Sequence, residues 1–212
     1  MSGDPNGTRA GQSWRFRGHI AGVGSTSGIR VVVGWWRESP FGEFADAMVE
    51  RPDGHRILLA PTDQVRDLVA STYTFDETRI EPFGAREDAD GRWLVESPSL
   101  RLTLTPGQRL PVGWLLRVVP RRLATSPAWC AVVDPIARVV MRGVRTRGIA
   151  REGRRESYGA TDSRAIVALT GEFDGQDLGA LAAVDPPCRF GFSSTPRRPS
   201  VTDVTTTIEF IA

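Results

Sequence analysis

Lysine is absent from this chain: all 27 basic residues are arginine. Without a lysine amine no Schiff base can form. That excludes internal pyridoxal-phosphate linkage and lysine-based decarboxylation or aldol chemistry. A Walker-type phosphate loop is excluded for the same reason. The glycine-rich run from Gly22 to Gly28 is therefore read as a turn between two strands. Histidine is scarce, with only His19 and His55, and these fall on separate predicted strands. No Cys-x-x-Cys or His-x-x-x-His spacing exists, so no metal site is expected and no cofactor is implied. A serine or cysteine nucleophile would need one of the two histidines as its base, and no Gly-x-Ser-x-Gly elbow is present. Two cysteines, Cys130 and Cys188, are too few for a disulfide scaffold and are expected as reduced thiols. Apolar runs such as Val31–Val33 or Ala131–Val133 are far too short to span a bilayer. The polar start, Met1 to Gln12, lacks the apolar stretch of a secretory signal. A soluble, cytoplasmic protein is expected.

The 212 residues fit one domain. Residues 1–12 read as a disordered lead-in, and 13–212 as a single β-rich domain with a helical insertion at about 111–142. Trp14, Phe16 and Ile20 alternate with Arg15, Arg17 and His19, the pattern of a half-buried strand. Ile29–Glu38 is apolar on both faces and reads as a central strand. Phe41–Arg51 and His55–Ala60 flank the turn signal Pro52-Asp53-Gly54. Pro61 and Thr62 open a short helix, Asp63 favours its N-terminus, and Val65, Leu68 and Val69 form its apolar stripe. Strands are expected again at Tyr73–Phe83, Arg92–Glu96 and from Leu100 to Leu104. Ser126-Pro127 and Asp134-Pro135 each read as a cap followed by proline, so the insertion should hold two or three short helices. Beyond it, Arg145–Arg151, Arg154–Ala160, Ala165–Phe173, Arg189–Ser193 and Val201–Ile211 read as strands. The fold class is mainly β (α+β): a curled antiparallel sheet or closed β-barrel under a helical lid, which hides the strand edges.

Three features bear on function. First, Asp46 and Glu50 share strand parity with Phe44 and Met48, so both are expected on the inner face. An inward carboxylate has a raised pKa and can act as acid or base; the alternative is that each acid pairs with an arginine. Second, Trp35-Trp36 puts one indole on each face of its strand: one belongs to the core, the other to a pocket or partner surface. Third, positive charge is concentrated. Residues 113–165 carry eleven arginines against four acids, a net +7 in a chain of net +2. Arg145 and Arg147 lie on one strand, Tyr158 on its partner. This stretch reads as a solvated face or as an anion site built from arginine forks. Nucleic acid is not expected, because interleaved exposed aromatics are missing. Within it, Val112–Leu123 mixes Trp114, Leu115 and Leu116 with Arg117, Arg121 and Arg122, as a lid or a membrane-surface helix would.

The segment Ser39-Pro40-Phe41-Gly42-Glu43-Phe44-Ala45-Asp46 resembles a stretch of the acetoacetate-decarboxylase-like superfamily. There a Ser-Pro-x-Gly-x-aromatic-x-acid run enters a curled β-barrel. The resemblance implies a cavity-forming fold, with Asp46 where the family commonly has a cavity-facing glutamate. The family's decarboxylases use a lysine, so decarboxylation is not implied here. The leading expectation is a small organic ligand, anionic in one version, bound in a barrel cavity near Asp46, Glu50, Trp36 and Tyr158, with Arg145 or Arg147 as anion partners. The competing expectations are an interaction module docking through 113–155 on an acidic partner or membrane surface, and a cofactor-free acid–base enzyme.

Overall fold

β-branched and aromatic side chains fit a pleated surface better than a helix, and runs such as 31–36 and 201–208 are rich in them. A computed structural model describes residues 13–140, 147–151, 154–191 and 195–210. The first half runs β1 (Ser13–Ser25), β2 (Arg30–Glu38), β3 (Phe44–Glu50), β4 (Arg56–Ala60), α1 (Asp63–Thr72), β5 (Glu77–Ile80), β6 (Gly84–Glu87), β7 (Trp93–Glu96) and β8 (Leu100–Arg109). Three helices follow: α2 (Pro111–Val118), α3 (Arg121–Ala124) and α4 (Pro127–Val140). The chain then returns to strands as β9 (Arg147–Arg151), β10 (Arg154–Phe173), β11 (Gln176–Asp177), β12 (Leu181–Ala182) and β13 (Ser200–Phe210).

All the strands join one sheet, in the order β5-β4-β3-β2-β1-β13-β10-β8-β7-β6, with β9 and β11 also on β10 and β12 on β1. Pairing is antiparallel throughout, except that β4 and β5 run parallel. A parallel pair needs a crossover, and α1 supplies it. The sheet curls strongly. Four strands separate β2, with Trp35, from β7, with Trp93, yet the two rings meet edge-on at 5.1 Å. Inside the curl sits the main core, which includes Val33, Ala47, Leu59, Leu102, Leu104 and Phe173. The curl is not a closed ladder: β5 and β6 remain the two ends among the described residues. Side chains tie the β5 end instead. Arg79 of β5 bonds Asp174 at 2.6 Å and Ser99 at 3.0 Å.

Several expectations about elements are corrected. Arg154–Phe173 is one long strand, because a register shift between Ala160 and Asp162 bends it without ending it. Arg189–Gly191 carries no strand, and residues 192–193 of that expected element lie outside the described residues. Tyr73–Phe83 contributes only the four residues of β5 to the sheet. Asp134-Pro135 does not start a helix but lies within α4, which begins at Pro127 with Ser126 Oγ accepting from the Trp129 amide at 3.2 Å. Thr62 does cap α1: its hydroxyl accepts from the Val65 amide, and Val65 and Leu68 are buried against the sheet. The lead-in 1–12 lies outside the described residues, as does Gly143, the residue expected to close the second helix of the insertion.

Candidate functional site

Antiparallel pairing sets Gly34 of β2 opposite Asp46 of β3, and Trp36 opposite Phe44. Side chains along a strand alternate between faces. Val31, Val33 and Trp35 therefore enter the core inside the curl, together with Ala45, Ala47 and Val49. Val32, Gly34, Trp36, Phe44, Asp46 and Met48 take the opposite face, where α1 packs. Between that face and α1 lies a cavity of about 80 Å³. Its remaining wall comes from β1, β13 and β10, including Phe16, Ile208, Glu156 and Tyr158, and from Leu68, Val69, Thr72 and Tyr73 on the helical side. This corrects the expected location. The interior of the curl is filled, and the cavity lies on the other face of the sheet. Its lid is α1, and no described residue of α2, α3 or α4 lines it.

Asp46 is 5% exposed. Burial pushes its carboxyl up to about 7, and the hydrogen bond from Trp36 opposes that shift in part. The indole Nε1 donates to Asp46 Oδ1 at 3.2 Å. Gly34 makes this contact sterically possible. A Cβ there would stand 2.6 Å from Asp46 Oδ1 and 2.7 Å from Trp36 Nε1.

A second polar group faces it from β10 and the end of α1. Glu156 accepts from the Thr72 hydroxyl at 2.6 Å and from the Tyr158 hydroxyl at 2.7 Å. The Tyr158 and Tyr73 hydroxyls are 2.6 Å apart. Because the Tyr158 proton goes to Glu156, the proton between the two phenols comes from Tyr73. Burial, and then the charge of Glu156, push both phenols well above their ordinary range. Thr206 also lines the cavity, and its buried hydroxyl has no hydrogen-bond partner among the described residues.

Of the sequence-predicted residues, Trp36, Asp46 and Tyr158 come together at this cavity. Glu50 does not line it. Its carboxylate is fully buried at the far end of β3, 3.2 Å from Arg30 Nη2, and accepts from the Arg189 amide at 2.7 Å. Arg30 in turn donates to the Pro186 carbonyl at 2.9 Å, so the pair ties residues 186–189 to the sheet. The arginine alternative weighed for the carboxylates describes Glu50; Asp46 has a tryptophan partner. Arg145 lies outside the described residues. Arg147 opens β9, where its backbone pairs with Ser157, and its side chain lies outside them too. No arginine is among the described lining residues, whose charged members are Asp46 and Glu156. An anionic ligand would face two acids.

Tyr73, Thr72 and Glu156 escaped the sequence reading. The helical spacing of Val65, Leu68 and Val69 continues to Thr72 and Tyr73, which places both on the same helix face. Glu156 shares strand parity with Tyr158 and was reachable from it. Among the described residues, no group of three or more His, Cys, Asp or Glu is placed to hold a metal. No described helix is long and apolar enough to cross a membrane.

Fold and site together define a curled β-sheet protein with a helix-covered cavity on one face. No protein-family model matches the chain, and no curated protein matches it. Among solved structures it is similar to a protein from Nitrosomonas europaea provisionally designated AttH, at 12% identity and a TM-score of 0.30. That similarity covers 99% of this chain and 55% of the other, so the chain spans about half the length of that structure. The segment that resembles the acetoacetate-decarboxylase-like superfamily forms a tight turn, with Ser39 Oγ donating to the Gly42 carbonyl at 2.6 Å, and then enters β3.

Proposed function

We propose that the cavity binds a small, largely apolar organic molecule with one polar end, neutral or cationic, that meets Asp46. The observation that supports this most is Asp46 itself. A carboxyl in an apolar enclosure is costly without polar company, and here it has one indole donor. About 10–15 Å³ of such volume holds one water-sized group, so a cavity of about 80 Å³ takes roughly five to eight. The apolar wall supplies affinity and the few polar groups fix orientation, the usual division in small-molecule sites. With its carboxyl near 7, Asp46 donates to a carbonyl when protonated and accepts from a hydroxyl or ammonium when ionised.

Three probes of one shape test the charge preference: benzylamine, benzyl alcohol and benzoate, titrated calorimetrically at pH 8. Benzylamine binds tightest and benzoate weakest, and Asp46→Asn removes the advantage of the amine. Saturable binding led by benzoate, or by none of the three, contradicts the reading.

The same carboxyl supports a second reading, a cofactor-free acid–base catalyst. A general base works best with a pKa near the operating pH. Ring opening of 1,2-benzisoxazole, which requires only a base, is the probe. On this reading the rate rises through an inflection near pH 7 that Asp46→Asn abolishes; a rate equal to buffer at every pH removes it.

A further inference from the structure

Five of the seven exposed large hydrophobic side chains among the described residues fall between Trp114 and Val132. Trp114, Leu115 and Val118 on α2 are 60%, 68% and 80% exposed, and Leu123 of α3 and Val132 of α4 join them. The helix turns a glycine inward instead: Gly113 is its buried residue, seated so close to the Ser163 carbonyl that a side chain has no room. The docked side of α2 thus carries its glycine, Val112 and Leu116 are half-buried, and Trp114, Leu115 and Val118 face solvent.

The charge around them has one sign. The sequence holds no acid between Glu96 and Asp134, while Arg117, Arg121 and Arg122 are all exposed. Asp134 is buried. Arg117 reaches Asp162 at 3.6 Å, and Arg109 bonds the same carboxylate while its guanidinium lies 4.5 Å over the Trp114 ring. Neither α3 arginine has a salt bridge among the described residues.

We propose that the outward face of α2, α3 and α4 docks on a membrane surface rich in anionic lipid. Tryptophan and aliphatic side chains beside arginines, on short helices, match the headgroup boundary, where apolar groups enter the acyl region and guanidinium groups meet lipid phosphates. A second copy of the chain fits worse. A two-fold interface brings the same patch against itself, and three arginines would then face their copies across a surface to which α2 and α3 contribute no acid. This inference does not rest on the cavity reading, since no described residue of these helices lines the cavity.

The test is vesicle flotation of the full chain. Vesicles of phosphatidylcholine alone are compared with phosphatidylcholine and phosphatidylglycerol at 7:3, each at low and at half-molar salt. The protein floats with the anionic vesicles at low salt and is released at high salt. Arg121→Ser with Arg122→Ser weakens partitioning on the order of 30-fold, at about fivefold per arginine near a charged surface. Leu115→Ser with Val118→Ser weakens it while leaving the circular dichroism and melting temperature unchanged, because both side chains already face solvent. Equal binding to neutral vesicles, no binding to either, or binding indifferent to both double variants overturns the proposal. So does self-association in sedimentation that the Leu115→Ser/Val118→Ser variant abolishes while flotation is absent, which would assign the patch to a second copy.

Discussion

Replacing Asp46 by asparagine removes a titration and almost nothing else, because the amide oxygen still accepts from the Trp36 indole. Its effect on stability therefore reads the Asp46 carboxyl directly. The group sits near 7 in the fold against an ordinary value of 3.8. Between those values the folded state holds the proton and the unfolded chain has released it. Stability then falls as pH rises, because the folded state binds more protons. The loss starts near pH 4 and levels off above pH 7. Three pKa units at about 1.36 kcal/mol each give a total on the order of 4 kcal/mol. Urea denaturation of both proteins from pH 4.5 to 8.5 isolates the effect, since every other titration is common to the two and cancels in the difference. The asparagine variant gains on the native protein by about 1 kcal/mol per pH unit through the middle of that range and is clearly the more stable at pH 8. A difference that does not change with pH refutes the raised carboxyl, and with it the electrostatics assigned to the cavity.

Gly34→Ala forces a methyl group between Asp46 Oδ1 and Trp36 Nε1. Overpacking of this kind costs about 1–3 kcal/mol, measured by urea midpoint, and it should redden the Trp36 environment in near-ultraviolet circular dichroism. Glu50→Ala leaves the Arg30 guanidinium buried without its carboxylate. It should destabilise the fold by about 3–5 kcal/mol while leaving probe binding at the cavity intact in whatever fraction remains folded. Cys130 and Cys188 are buried, with thiols pushed up to about 11 and about 12 by desolvation. Neither should react with a soluble disulfide reagent at pH 7.5 until denaturant unfolds the chain, and labelling at the native-state rate of a free thiol would contradict that burial.

How much of this was legible beforehand depended on the distance over which a pattern can speak. Alternation along β3 correctly grouped Phe44, Asp46 and Met48 on one face. It could not say that this face lies under α1 while Ala45, Ala47 and Val49 fill the curl. Both faces of β3 carry apolar residues, so the choice between them is made only by the curl and by α1, which pack against opposite sides of the strand. Glu50 has the same parity as Asp46 and a different environment. It is four residues further along, past the cover of α1, where Arg30 waits on the neighbouring strand. Strand parity carries no information about such an ending. Asp134-Pro135 misled because a cap-and-proline pair looks the same at a helix start and inside a helix whose apolar stripe runs on through Val132 and Val133. In β10 the bulge after Ala160 made one strand read as two, since Thr161-Asp162-Ser163 carries turn residues in an extended backbone. The anion partners Arg145 and Arg147 were inferred from charge clustering and strand parity, and Arg145 and the Arg147 side chain lie outside the described residues.

The central claim is that a small molecule enters the cavity beside Asp46, and indole resonances test it at single-residue resolution. Trp36 Nε1–H donates to Asp46, whereas the Trp114 ring stands exposed on α2. In a two-dimensional nitrogen–proton spectrum of the full chain, with the indole peaks assigned by single tryptophan-to-phenylalanine variants, benzylamine is titrated at pH 8. A ligand seated beside Asp46 gives a saturable shift of the Trp36 indole peak, with Trp114 unmoved and the shift lost in Asp46→Asn. A Trp36 peak that stays fixed while the probe binds elsewhere, or while nothing binds, contradicts it.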